Sequence, residues 1–201
     1  DRSIRIYDVA TGAQQILIED HADWVLAVAW SPDGAKLASA SRDKTSKVFD
    51  AASGDSLATF AGHGETVYSV SFNADGSQLL TGGGNKVVHV WNPADAAKIG
   101  DVGGFGGDVT QLIVRADQIY SSSSDSQARQ HGGEKRELVR AYAGHRDWIY
   151  SLALSDAAGR LATGGYDGEV RIWNTADGAQ TAAFVASPGL AITPAEQASA
   201  Q

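Results

Sequence analysis

The 201 residues are 43% apolar, enough for a substantial core in one large or two small domains. Sixteen basic against 24 acidic residues give a formal charge of −8, and with the cations scattered this argues against nucleic acid as a partner, since phosphate backbones are met by clustered Lys and Arg. Absence of cysteine excludes disulfides and thiolate metal sites. No run of about eighteen apolar residues points to a membrane helix, and Asp1 to Asp8 alternates charge with Ile and Tyr where a leader would be basic and then apolar. The sequence reads as soluble, with cytoplasm and periplasm equally compatible.

In chain order, the sequence repeats itself at a period near 42. His21-Ala-Asp-Trp-Val-Leu-Ala-Val, His63-Gly-Glu-Thr-Val-Tyr-Ser-Val and His145-Arg-Asp-Trp-Ile-Tyr-Ser-Leu align without gaps, and Phe105-Gly-Gly-Asp-Val-Thr-Gln-Leu is a further copy. An aromatic-rich position followed by a polar one falls at Tyr7-Asp8, Phe49-Asp50, Trp91-Asn92, His131-Gly132 and Trp173-Asn174, at spacings of 42, 42, 40 and 42. The shortfall lies where Arg115-Ala-Asp-Gln-Ile replaces Asn73-Ala-Asp-Gly-Ser-Gln-Leu, which predicts a trimmed hairpin tip.

Within one period, short apolar runs alternate with turn chemistry. Residues 24–30, 36–39, 46–50 and 56–60 read as four strands. Ser31-Pro-Asp-Gly separates the first two, with Pro presetting φ and Gly supplying a positive φ. Arg42-Asp-Lys and Ala51-Ala-Ser-Gly-Asp separate the others. Alternation is imperfect, as expected where neighbouring sheets cover both faces, and helical periodicity is absent. Gly82-Gly83-Gly84 and Gly103-Gly104-Phe105-Gly106-Gly107 have no helix after them and so read as turns, not phosphate cradles.

Four antiparallel strands per period of this length is the arithmetic of a β-propeller blade. Gly62-His63, Gly144-His145, Ser31-Pro-Asp-Gly, Leu37-Ala-Ser-Ala-Ser, Asp167-Gly-Glu-Val-Arg-Ile-Trp-Asn and Asp1-Arg-Ser-Ile-Arg-Ile-Tyr-Asp resemble the WD-repeat family, in the style of its bacterial members, over roughly residues 1–186. The predicted fold is all-β: the last two strands of an incomplete blade in 1–20, whole blades in 21–62, 63–104, 105–144 and 145–188, and a tail or linker in 189–201. The resemblance implies rings that usually close with about seven blades. Further blades are therefore expected upstream, and the strands carrying Ile4, Ile6 and Tyr7 at one end and Leu152, Leu161 and Ile172 at the other are expected to leave apolar faces uncovered.

Four polar positions recur per blade. They are His21, Ser39, Asp43 and Phe49; His63, Thr81, Asn85 and Trp91; and His145, Thr163, Asp167 and Trp173. A Ser, His, Asp set suggests a hydrolase triad, but one that repeats in every blade points to structure, since catalysis needs a single site. The resemblance implies that the His bridges the Asp turn and the Ser or Thr, whose hydroxyl meets the indole N–H. The third copy has Phe105 for the His and His131 for the Trp, leaving Ser121 and Asp125 without their usual partners, so this blade is expected to be the softest. His21, His63 and His145 sit in different blades, and His89 is isolated on a strand, so no metal site is expected. No cofactor is implied either: no Cys-x-x-Cys-His occurs to anchor a haem.

The resemblance also implies a preferred binding face, formed by the loop before each innermost strand and the turn after the second. Trp24, Arg42, Arg146, Trp148 and Tyr166 lie there, in the first and last blades, and these residue types dominate interface hot spots. The favoured function is a non-catalytic scaffold binding a protein or peptide. The alternatives are a structural module packed on a catalytic or redox domain of a longer protein and, least favoured, a propeller-type enzyme.

Overall fold

The structure, a computed structural model, describes residues 1–186; the tail expected over 189–201, and the end of the blade expected to reach 188, lie outside the described residues. Among the described residues there are eighteen strands and no helix. β1 (Ile4–Tyr7) and β2 (Gln14–Ile18) form a two-stranded sheet. The first full blade is β3 (Val25–Trp30), β4 (Lys36–Ser41), β5 (Ser46–Asp50) and β6 (Ser56–Phe60). The second is β7 (Val67–Phe72), β8 (Leu79–Gly83), β9 (Val88–Trp91) and β10 (Lys98–Val102). The third is β11 (Val109–Arg115), β12 (Gln118–Ser123), β13 (Gln127–Gly132) and β14 (Glu137–Ala143). The fourth is β15 (Ile149–Ser155), β16 (Arg160–Gly165), β17 (Glu169–Asn174) and β18 (Gln180–Val185). Every sheet is an antiparallel meander in chain order.

The turns follow from their residues. Between β3 and β4, Gly34 adopts φ 70° and its N–H reaches Ser31 O at 2.9 Å, while Asp33 Oδ1 accepts the Ala35 N–H at 3.0 Å. The tip between β11 and β12 is reduced to Ala116 and Asp117, with Ala116 forced to φ 50°, a conformation that such short turns normally assign to Gly or Asn. The innermost strands share a bulge: pairing skips Leu26, Tyr68, Thr110 and Tyr150, the residue after the first of each strand. One sequence expectation is corrected here. Gly82 and Gly83 belong to β8, and a Cβ on Gly82 would stand 2.6 Å from Val109 Cγ1, so glycine there admits the next blade's inner strand.

The core lies between blades. Ile4 and Ile18 pack on Leu37 and Phe49; Ala38, Val48 and Phe60 on Val70, Leu79 and Trp91; Leu80 and Val90 on Val109, Leu112 and Ile119; Tyr120 and Tyr142 on Ile149, Leu161 and Trp173. Each fully buried aliphatic or aromatic contributes about 1.5–3 kcal/mol, so blade-to-blade layers carry most of the stability. The described blades form an open array whose end faces are apolar, but only in part through the residues expected: Tyr7 is exposed and Ile172 half-buried. Ile4, Leu152 and Leu161 are buried against the adjoining blade, because side chains of one parity on a strand all point to one face. The exposed end faces carry Leu26, Val28 and Trp30 of β3, and Phe184 of β18, which shares its face with the half-buried Val170 and Ile172 of β17.

Candidate partner-binding surface and the network beneath it

The fourth blade has the complete network. His145, in the loop before β15, lies 3.0 Å from Asp167 Oδ2 through Nδ1 and 2.8 Å from Thr163 Oγ1 through Nε2. Trp173 Nε1 donates to the same hydroxyl at 3.0 Å. A carboxylate only accepts, so the donors run one way: indole to hydroxyl, hydroxyl to imidazole, imidazole to Asp167. Asp167 also accepts the N–H groups of Arg146 and Glu169, both at 3.0 Å, which ties the β16–β17 turn to the loop before β15. Burial raises its carboxyl, but these bonds and the His145 ring outweigh it and hold the pKa below the ordinary value.

In the first blade His21 meets Asp43 at 2.7 Å and Ser39 at 2.6 Å, and Phe49 stands edge-on to the imidazole at 6.3 Å in place of an indole donor. Burial opposes ionisation of Asp43, yet Thr45, His21 and the Ala22 N–H outweigh it and bring it down to about 2. The hydroxyls of this arrangement are sealed: Ser39, Thr81 and Thr163 are essentially fully buried, so no substrate carbonyl can reach them as it would a catalytic serine.

The second blade differs from expectation at two residues. His89 is not isolated: its Nδ1 lies 2.5 Å from Asp101 Oδ1 on β10, and its Nε2 accepts the Asn85 amide at 2.8 Å. Asn85 Oδ1 in turn faces His63 Nδ1 at 3.1 Å, and His63 Nε2 faces Thr81 Oγ1 at 2.8 Å. The carboxylate missing at position 85 is thus supplied by Asp101 through an amide and a second imidazole. Burial and the neighbouring His89 push His63 down to about 4. Trp91 stands outside this chain. Its indole stacks on Phe60 at 5.2 Å and 12°, and its Nε1, held in that orientation, has no partner. Among the described residues no three His, Asp or Glu side chains gather as metal ligands would.

In the third blade Asp125 lacks its usual His partner, as expected, but other groups take its place. Arg129 of β13 grips it bidentately, at 3.0 and 2.7 Å, and the Gly106 N–H donates to it at 2.7 Å. The guanidinium lies 5.1 Å from the centroid of Phe105, the residue replacing the network His. Arg129 can reach because β13 points it at the turn, and this spacing of four residues was legible in the sequence. Burial opposes the charge on Asp125, but Arg129 and Gly106 keep its carboxyl below the ordinary range. Ser121 donates only a long 3.4 Å bond to Arg129 O. His131 is buried with its Nδ1 unpartnered, and burial together with the Arg129 charge pushes it down to about 4.

Above this network the candidate contact residues fall into two groups. Trp24 is 56% exposed, and Arg42 lies over its ring at 5.4 Å while the Arg42 N–H bonds Trp24 O at 2.9 Å. Trp148, 46% exposed, meets Tyr150 at 5.9 Å, and Tyr150 meets Tyr166, 73% exposed, at 6.2 Å. Arg146 is exposed beside this trio, its backbone N–H anchored to Asp167. No hydrogen bond, ion pair or ring contact joins the pair to the trio. Tyr150 was not among the sequence candidates; its signal is the repeated bulge position, where the other blades carry Leu26, Tyr68 and Thr110.

The WD domain, G-beta repeat family matches residues 12–50, 54–92 and 136–174. The unmatched stretch between the last two matches holds Phe105, Arg129 and His131, the rewired third blade. Among curated proteins, mouse Coronin-7 is 42% identical over 43 residues, 21% of this chain and 5% of that protein, and bovine Coronin-7 is the same in identity and coverage. Human Coronin-7 is 40% identical over 43 residues. The chain spans about 5% of the length of the curated relatives it matches. With the repeat matched over more than half of its residues, on antiparallel four-stranded blades, the chain belongs to the WD domain, G-beta repeat family.

Proposed function

We propose that the chain is a non-catalytic scaffold that binds a protein or peptide through the loop face carrying Trp24, Arg42, Arg146, Trp148 and Tyr166, with Tyr150 added. The supporting observation is the trio Trp148, Tyr150 and Tyr166: rings linked through Tyr150, each about half exposed or more, with Trp148 and Tyr166 on loops pinned by backbone hydrogen bonds and Tyr150 at the bulge of β15. Rigid, clustered aromatics bring large contact area at low entropic cost, the property that makes Trp and Tyr hot-spot residues. The sealed hydroxyls weigh against the hydrolase alternative.

The test is site-specific photo-crosslinking in cells, with a benzophenone side chain at Tyr166 and, separately, at Thr181 on the exposed outer strand β18. A discrete protein adduct is expected from position 166, and its loss on Trp148→Ala. Adducts formed equally from position 181, or surviving Trp148→Ala, place the partner elsewhere and favour a module packed on another domain.

A further inference from the structure

A cavity of about 550 Å³ opens between the second and third blades, at the opposite end of the strands from Trp24 and Trp148. Its origin is the trimmed tip. At the junction before it the hairpin tips touch, a Cβ built on Gly76 standing 3.3 Å from Pro32 Cδ. At this junction the longer β7–β8 tip is faced by the two-residue tip Ala116-Asp117 and by the β13–β14 turn, whose Arg136 reaches Gln78, and the space between them stays open. Leu80, Val114 and Ile119, side chains of the inter-blade core, form its floor.

The rim is acidic. Asp75, Asp117 and Glu134 line it against a single cation, Arg136. Arg136 is bound to the neutral Gln78 amide at 2.7 Å rather than to a carboxylate, and Lys135 of the same turn does not line the cavity. Asp75 and Asp117 accept only neutral donors, the Ser77 N–H at 2.8 Å and the Gln118 amide at 3.0 Å. The recess therefore offers an aliphatic floor beneath an excess of negative charge.

We infer that this cleft is a second docking site, which takes a Lys or Arg side chain flanked by aliphatic residues, presented on an extended segment of a partner protein. An aliphatic stem with a cationic head matches a floor and rim of this kind, burying the stem and leaving the head among carboxylates. The volume, in the range of sites for small ligands, exceeds one such side chain and leaves room for its aliphatic neighbours. The site is independent of the loop face and of any partner bound there.

The test is an NMR titration of the isotopically labelled chain with two capped peptides differing only at the centre, Ala-Gly-Leu-Lys-Leu-Gly-Ala and Ala-Gly-Leu-Glu-Leu-Gly-Ala. The Lys peptide should shift the amides of Gln78, Asp117 and Glu134 saturably while leaving Trp148 and Tyr166 unmoved, and the Glu peptide should shift none. Asp117→Asn combined with Glu134→Gln should weaken binding by about five- to tenfold, the effect of two partly exposed ion pairs. Inserting Gly-Ser between Asp117 and Gln118 restores the full-length tip and should abolish binding; the neutralised variant carries the test alone if the insertion disturbs folding. Absent or non-saturable shifts, equal response to the Glu peptide, indifference to neutralisation, or equally tight binding of free hexylamine would each overturn the assignment.

Discussion

The third and fourth blades tie the same turn to the same loop with different chemistry. In the fourth, neutral donors run from Trp173 through Thr163 and His145 to Asp167. In the third, the imidazole is gone and Arg129 meets Asp125 directly, an ion pair whose side chains are only 8% and 14% exposed. In both, the carboxylate accepts the N–H of the loop residue after the His or Phe, Arg146 in one and Gly106 in the other. What these two blades share is thus a carboxylate at the turn that must be satisfied; the identity of the group satisfying it is free to change.

The two solutions differ in what happens when the acid is removed. Asp125→Ala strands a buried guanidinium, and breaking a buried pair by deleting one partner costs about 3–5 kcal/mol. Asp167→Ala strands neutral groups, at about 1–3 kcal/mol. Urea melts of the two variants should therefore rank Asp125→Ala as the more damaging, the reverse of what the sequence alone predicts. The opposite ranking would mean that Arg129 finds water or another acceptor once freed, and that the third blade is the softer one after all.

That reversal marks where sequence reading ran out. Strand count, blade period and the trimmed tip were legible because turn residues and the His-to-Trp spacing repeat in register. His145 to Thr163, Asp167 and Trp173 was legible because all four positions are occupied by the expected side chains. The partner of Asp125 in the third blade was missed because it is Arg129, at the strand position where the second blade carries His89, outside the recurring His, Ser or Thr, Asp and Trp set. His89 was missed for the same reason: its partner Asp101 lies on the outer strand, across a pairing between β9 and β10 that a linear motif does not register. Substitutes come from spatial neighbours: the four-residue spacing from Asp125 to Arg129 is visible in the sequence, but the contact between Asp101 and His89 across two strands is not.

The histidines sharpen the comparison at the next scale of energy. His63 and His131 are both lowered to about 4, chiefly by burial. A histidine depressed in the folded state remains neutral there while the unfolded chain takes up a proton below about pH 6.5, so stability is full above that pH and falls toward pH 4. At pH 5 each should have removed about 2 kcal/mol. Asp43, lowered to about 2, acts in a separate window: its contribution persists through pH 5 and is lost only as pH falls from the ordinary carboxylate range through 2. His131→Phe should reduce the loss between pH 7 and 5, and at pH 7 should gain about 1 kcal/mol by deleting a buried nitrogen without a partner. Melting curves that keep the wild-type acid slope in that variant would show that His131 is protonated in the fold, against Arg129.

The smallest expected effect on stability belongs to the surface, and its smallness is the point. Trp148 touches Tyr150 at its exposed edge, while the bond that fixes the Tyr166 turn uses the Trp148 backbone carbonyl, at 2.8 Å, and survives truncation. Arg42 lies over Trp24 with both side chains largely in solvent, a cation–π contact worth only about 0.5–1 kcal/mol at an exposed site. Trp148→Ala and Arg42→Ala should therefore each shift the melting temperature by no more than about 2–4 °C, the equivalent of about 1 kcal/mol in a chain of this size. The same variants should weaken a bound partner strongly, since removing a central hot-spot side chain costs about 2 kcal/mol or more of binding. The decisive quantity is the ratio of the two losses, measured on one preparation by calorimetry and by partner titration. A fall in melting temperature of ten degrees or so from Trp148→Ala, about 3 kcal/mol on the same scale, would make Trp148 part of the packing between blades and remove the trio from the contact surface.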